Sequence, residues 1–189
     1  MTDCCTQKSK MPRLGEVLIS RDRIAERVKA LADEICHCYG GQENSELVIV
    51  ALMTGSLVFL ADLIRQLPLR VRVAIMVVSN YPGRSTSAEG VRINYDIQEN
   101  IAGKDVLVVD DIFDTGQTLR AVVDLLEKRG VRTIRICVLL KKLIARSENL
   151  QPDFVGFEIP NKFVVGYGLD YDNLFRNHPE IAVLDIEHG

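Results

Sequence analysis

The stretch Val106–Leu119 reads VLVVDDIFDTGQTL. Its first four residues are apolar and three are valine, a run that suits a strand buried on both faces. The run ends in two adjacent carboxylates, Asp110 and Asp111. A third, Asp114, follows, then the small and hydroxyl residues Thr115, Gly116, Gln117 and Thr118. Beyond them Leu119, Val122, Val123, Leu125 and Leu126 recur at helical spacing up to Gly130. A buried strand that turns directly into an amphipathic helix is the unit from which parallel α/β sheets are built.

The same alternation extends outward. Ile24, Val28, Leu31, Ile35 and Cys38 form a helical stripe that Gly40-Gly41 ends. LVIVALM (47–53) is a strand-length apolar run, TGSLVFLADLIRQL turns into a helix closed by Pro68, and RVRVAIMVVS (70–79) is rich in β-branched residues. RINYDI (92–97), TIRICVLL (133–140), DFVGFEI (153–159), FVVGY (163–167) and IAVLDI (181–186) read as further strands. The pattern predicts a doubly wound, mainly parallel α/β sheet flanked by helices, with ligands beyond the carboxyl ends of the strands. Between two of the strands, NYPGRSTSAEGV (80–91) has turn residues and no apolar period, which predicts a mobile lid loop. Residues 1–12 are expected to be a disordered tail and 13–189 a single domain.

The 189-residue chain carries a net charge of -3 and no long basic run, which argues against nucleic acid as main partner. No apolar run approaches membrane-spanning length and the N-terminus has no signal-like apolar core, so a soluble cytoplasmic protein is expected. Five cysteines fit reduced thiols rather than a disulfide frame. Zinc held by Cys4, Cys5, Cys36 and Cys38 is disfavoured by the adjacent pair and by Cys38 on the helical stripe.

The opening stretch has several readings. The plainest is an acidic turn with Asp114 or Thr115 capping the helix, but that leaves the Asp110–Asp111 pair unexplained. A strand ending in Asp-Asp also suits P-loop ATPases, yet no GxxxxGK[ST] loop is present. Aspartyl-phosphate phosphatases space their aspartates two apart rather than three, and GYGLDY (166–171) is no dinucleotide loop. A phosphate wrapped by 114–118 accounts for more: free amides and the helix N-terminus donate to it. The acid pair then serves a polyol such as ribose, or hydrated magnesium.

VVDDIFDTGQTL resembles the phosphoribosyl-pyrophosphate loop of type I phosphoribosyltransferases. PDFVGFEIPNKFVVGYGLDYDNLFRN (152–177) resembles the C-terminal segment of the family's 6-oxopurine, hypoxanthine-guanine members. With LMTGSLVFLADL, SNY and LLKK the likeness runs from about Leu14 to Asp185. It implies a small hood built from the terminal segments and a magnesium-dependent purine-salvage enzyme. It also implies a homo-oligomer, dimer or tetramer.

Residue by residue, the resemblance implies that Asp110 and Asp111 face ribose hydroxyls and the metal's waters, and that Asp114 is the catalytic aspartate near purine N7. Thr115, Gly116, Gln117 and Thr118 would cradle the 5′-phosphate, with Ile112 and Phe113 beside them. Lys142 would donate to the 6-oxo group, with Lys141 adjacent; Lys162, Phe163 and Val164 would bind and stack the purine. Asp170 would be the second magnesium carboxylate and Arg176 would hold pyrophosphate. Departures stand at Thr54-Gly55, where a Lys-Gly pair and a non-proline cis peptide are usual, and at Asn80-Tyr81, where the lid usually carries Ser-Tyr. The implied reaction moves phosphoribose from phosphoribosyl pyrophosphate to N9 of hypoxanthine or guanine. A regulator that senses phosphoribosyl pyrophosphate, or a transferase for xanthine or a pyrimidine, are the alternatives. Asp114 and the lack of a basic face argue against the regulator, and the Lys142 and Phe163 region against pyrimidines.

Overall fold

The computed structural model describes residues 12–40, 46–80, 91–144 and 150–185. Residues 81–90 of the predicted lid, Tyr81 among them, and 1–11 of the tail, with Cys4 and Cys5, lie outside the described residues. Strands β1 (Arg13–Ile19), β2 (Leu47–Met53), β3 (Val71–Asn80), β4 (Val91–Tyr95), β5 (Asp105–Phe113), β6 (Thr133–Lys142), β7 (Phe154–Ile159), β8 (Val164–Val165) and β9 (Ile181–Asp185) alternate with helices α1 (Arg21–Tyr39), α2 (Leu57–Gln66) and α3 (Gln117–Lys128). The main sheet runs β4-β3-β2-β5-β6-β7, parallel except for the edge strand β4; β1-β9-β8 form a small antiparallel sheet, the hood.

Helices cover both faces, as a doubly wound sheet requires. α1 and α2 pack with Ile49, Ala51, Leu107 and Val109 on one face, and α3 packs with Val48, Val50, Val106 and Val108 on the other. The alternation along β2 and β5 therefore feeds two cores, which is why both strands read as unbroken apolar runs. α3 buries Leu119, Val122, Val123 and Leu126. At about 1.5–3 kcal/mol per buried aliphatic side chain, that face contributes about 6–12 kcal/mol before entropy is charged.

Three expectations change. Cys38 is exposed rather than on the buried stripe, which ends at Ile35. The FVVGY strand shrinks to Val164–Val165, because Gly166 (φ 99°) and Tyr167 (φ 50°) turn left-handed. β1, pairing with β9 through register shifts, has no counterpart among the predicted strands. Among the described residues no helix is long and apolar enough to cross a membrane.

At the amino ends of the strands the charges are already paired: Asp105 with Arg132, and Glu46 with Arg72 and Lys104. The carboxyl ends are arranged differently.

Candidate active site

A cleft of about 430 Å³ opens where β2 and β5 end, lined by Leu52, Met53, Gly55, Val78 and the whole run Asp110–Leu119. β5 continues to Phe113, so Asp110 and Asp111 sit on the strand itself rather than in the turn after it. Asp110 is only 9% exposed. Burial, then the neighbouring Asp111 charge, push its carboxyl well above the usual range; burial raises Asp111 too, against the opposing pull of the Asp110 side chain first, then of backbone amides and Arg176. The Asp111 amide donates to Asp110 Oδ1 at 3.0 Å and the Ile112 amide to Asp111 Oδ1 at 2.9 Å. Among the described residues neither carboxylate has an ion-pair partner. Such a pair is stored electrostatic cost that an arriving cation or hydroxyl relieves.

Asp110→Asn keeps the Oδ1 acceptor, offers an amide to Asp111 and removes one of two repelling charges. We expect the ligand-free protein to gain about 1 kcal/mol, as substitutions that relieve functional strain commonly do. Urea denaturation checks it; a loss of stability would mean that the pair is not repulsive.

Gly55 lies so near Asp111 that a Cβ there would collide with the carboxylate, and Gly168 (φ 103°) abuts the Gly55 carbonyl in the same way. The Thr54–Gly55 loop, the end of β5 and the turn Gly166–Gly168 thus converge. The cis peptide joins Met53 to Thr54, one bond before Thr54–Gly55.

α3 begins behind Gly116 as its N-cap, and not behind Asp114 or Thr115; the Thr115 hydroxyl accepts from the Gln117 amide at 3.4 Å. Asp114 is engaged elsewhere. Its Oδ2 accepts from Lys142 Nζ at 2.7 Å, with Lys142 14% and Asp114 47% exposed. Lys141, the next residue on β6, meets Glu158 at 3.4 Å, so successive lysines point to opposite faces. The structure therefore brings Lys142, and not Lys141, to the third carboxylate.

Arg176 pairs with Asp170 at 2.8 Å rather than with Asp172, and donates to the Gly168 carbonyl at 2.7 Å. Asp170 also accepts from the Asn173 amide. Among the described residues no three acidic, histidine or cysteine side chains form one metal cluster, so Asp170 stands apart from the Asp110–Asp111 pair. In the hood, Phe163 is 48% exposed and stands edge-on to Tyr171, with ring centroids 5.7 Å apart, while Val164 is buried and Lys162 faces Glu16 at 3.9 Å. Tyr171 and the Tyr167–Asp62 hydrogen bond, at 2.7 Å, were not singled out from the sequence, although both tyrosines stand inside the quoted GYGLDY.

A second cavity, about 410 Å³, lies at the other end of the sheet among Val131–Ile136 and Leu150–Asp153. Its Arg132 and Asp153 are already paired, with Asp105 and Arg135, so the chemistry points to the first cleft.

Residues 20–172 match the family model described as a phosphoribosyl transferase domain. The chain is 42% identical over 172 residues to a hypoxanthine phosphoribosyltransferase of Haemophilus influenzae, covering 91% of this chain and 96% of that one. It is 41% identical over 170 residues to a hypoxanthine-guanine phosphoribosyltransferase of Aquifex aeolicus, covering 90% and 94%. A crystal structure of a hypoxanthine-guanine phosphoribosyltransferase from Bacillus anthracis superposes with a TM-score of 0.84 at 37% identity, covering 90% of this chain and 99% of that chain.

Proposed function

Because the chain belongs to the phosphoribosyl transferase domain family, we propose that it transfers the 5-phosphoribosyl group of phosphoribosyl pyrophosphate to N9 of hypoxanthine or guanine. The products are inosine or guanosine monophosphate and pyrophosphate. The observation that carries this reading is the cleft itself: buried Asp110 and its half-buried neighbour Asp111, without an ion-pair partner among the described residues, line it together with the start of α3, and the Asp114–Lys142 pair stands beside them.

In this reading the residues 115–118 and the α3 N-terminus hold the 5′-phosphate. Asp110 and Asp111 accept from the ribose hydroxyls and stabilise positive charge as the bond from the anomeric carbon to pyrophosphate breaks. The bond to purine N9 forms on the same carbon. Asp114 holds the proton at N7 and takes it as the nucleotide forms, and Lys142 donates to the 6-oxo group. Phe163 stacks on the purine, Lys162 and Val164 border it, and Thr54-Gly55 and Arg176 take the pyrophosphate side.

The donor set fits magnesium: two raised, cation-free carboxylates suit a hard ion that keeps waters and takes further oxygens from substrate. When bound, magnesium supplies neutralisation of the leaving pyrophosphate's charge. Asp110 and Asp111 would hold its waters on the ribose side, and Asp170 would serve a second ion on the pyrophosphate side.

Incubation with phosphoribosyl pyrophosphate, magnesium and each base, followed by nucleotide absorbance, tests the proposal. Tight phosphoribosyl pyrophosphate binding without turnover of any 6-oxopurine would replace it with the regulator. Lys142→Ala should raise the KM for purine about tenfold or more, as loss of a charged hydrogen bond does, and leave that for phosphoribosyl pyrophosphate within twofold. Equal effects on both would remove Lys142 from the purine edge. A homo-oligomer is also part of the proposal, supported by the exposed apolar Leu57, Val73 and Ile75. Sedimentation as a monomer would overturn that part.

A further inference from the structure

Tyr167 does not line the cleft, yet its hydroxyl is placed with care. It donates to Asp62 Oδ2 on α2 at 2.7 Å, across 105 residues of sequence, while the ring is buried and the backbone is held at φ 50°. Burial, then Asp62, push the hydroxyl far up, so it is a permanent donor. The neighbouring backbone is cross-tied to the segment that carries Arg176. The Tyr167 amide donates to the His178 carbonyl at 2.7 Å, the Gly168 amide to the Arg176 carbonyl at 3.0 Å, and the Arg176 guanidinium back to the Gly168 carbonyl. Residues 166–178 therefore move as one piece. That piece meets the α2 side of the site at two points: by Gly168 against the Gly55 carbonyl, and by Tyr167 against Asp62. Helix α2 begins directly after the Thr54–Gly55 loop, so both attachments lead back to one element.

We propose that Tyr167 and Asp62 are positioning residues for the pyrophosphate side of the site: their hydrogen bond aims the Gly166–Gly168 turn, and with it Arg176, at the Thr54–Gly55 loop. A phenylalanine would fill the same buried space, so the hydroxyl adds direction rather than cohesion. Asp62 is about one-third exposed and also pairs with Arg65. Losing the bond therefore leaves no buried charge, and the stability cost is small. Without the bond, the turn can slide along α2 and let Arg176 swing away from the pyrophosphate.

The proposal rests on the assignment of Arg176 to pyrophosphate, and the test is arranged to separate the two. In the full-length protein, Tyr167→Phe should raise the KM for phosphoribosyl pyrophosphate, and for pyrophosphate in the reverse reaction, about fivefold. The KM for purine should stay within twofold and Tm should barely move. Asp62→Asn keeps an acceptor oxygen and should behave as the parent. Asp62→Ala should reproduce Tyr167→Phe, and the double variant should be no worse than either, since both remove one bond. Arg176→Ala is the reference. If it changes neither constant, the assignment of Arg176 falls and this proposal with it. If Arg176→Ala raises both constants while Tyr167→Phe does not, the assignment stands and the positioning role is overturned. A Tyr167→Phe protein whose Tm falls while both substrates weaken equally also overturns it.

Discussion

Asp114→Asn should lower turnover with hypoxanthine and guanine by about 10²–10⁴-fold while leaving the fold intact. The substitution preserves shape, and an asparagine oxygen can still accept from Lys142 Nζ, 2.7 Å away in the parent. It cannot take up a proton. Proton transfer by a positioned side chain typically contributes that factor, which corresponds to about 3–5 kcal/mol of barrier. If Asp114 were a helix cap, the same substitution would be nearly silent, because asparagine caps as well as aspartate. The structure already weakens the capping reading, since α3 starts behind Gly116 and the Asp114 carboxylate reaches Lys142 instead. Asp114 is half exposed, so Tm should change little. Single-turnover rates and a thermal melt decide: turnover within a few-fold of the parent returns Asp114 to a structural role. Asp111→Asn, by contrast, should act mainly on ribose binding and on the charge around the anomeric carbon.

The sheet was legible where one signal sufficed. β2, β5 and β6 are continuous apolar runs because both faces are covered, and α3 declares itself by its stripe. β1 gave no such signal: in RLGEVLI the exposed and buried positions do not alternate, and its pairing with β9 is interrupted by register shifts. The short β8 was overread because five apolar-looking residues conceal two left-handed ones, a property of backbone rather than of hydropathy. For the site, the acid pair and the turn after it are contiguous in sequence and could be read together. Lys142 meeting Asp114 required the β5–β6 register, which places Phe113 beside Lys141. Tyr167 meeting Asp62 required the hood to fold back on α2, a contact between distant segments that leaves no local trace.

The largest expected effect on stability belongs to Gly168→Ala. Gly168 sits at φ 103°, where side chains carry a strain of about 1–3 kcal/mol. A Cβ there would also collide with the Gly55 carbonyl oxygen. That obstacle is backbone, tied to the Thr54–Gly55 loop, so relief requires the turn to lift away; overpacking of this kind costs about 1–3 kcal/mol more. Together about 2–6 kcal/mol is a large share of a domain's typical 5–15 kcal/mol. For a chain of this size it corresponds to a Tm lower by roughly 5–20 °C. Gly103→Ala supplies the control, because Gly103 has φ 70° but open space around its Cβ position, leaving backbone strain alone. The difference between the two variants in urea denaturation isolates the contact with Gly55. If the turn lifts, Arg176 goes with it, since its guanidinium donates to the Gly168 carbonyl. Phosphoribosyl pyrophosphate binding should then weaken in Gly168→Ala and not in Gly103→Ala. Equal stability of the two variants would mean that the turn is not pressed against the Thr54–Gly55 loop, and that Arg176 is aimed by something other than this contact.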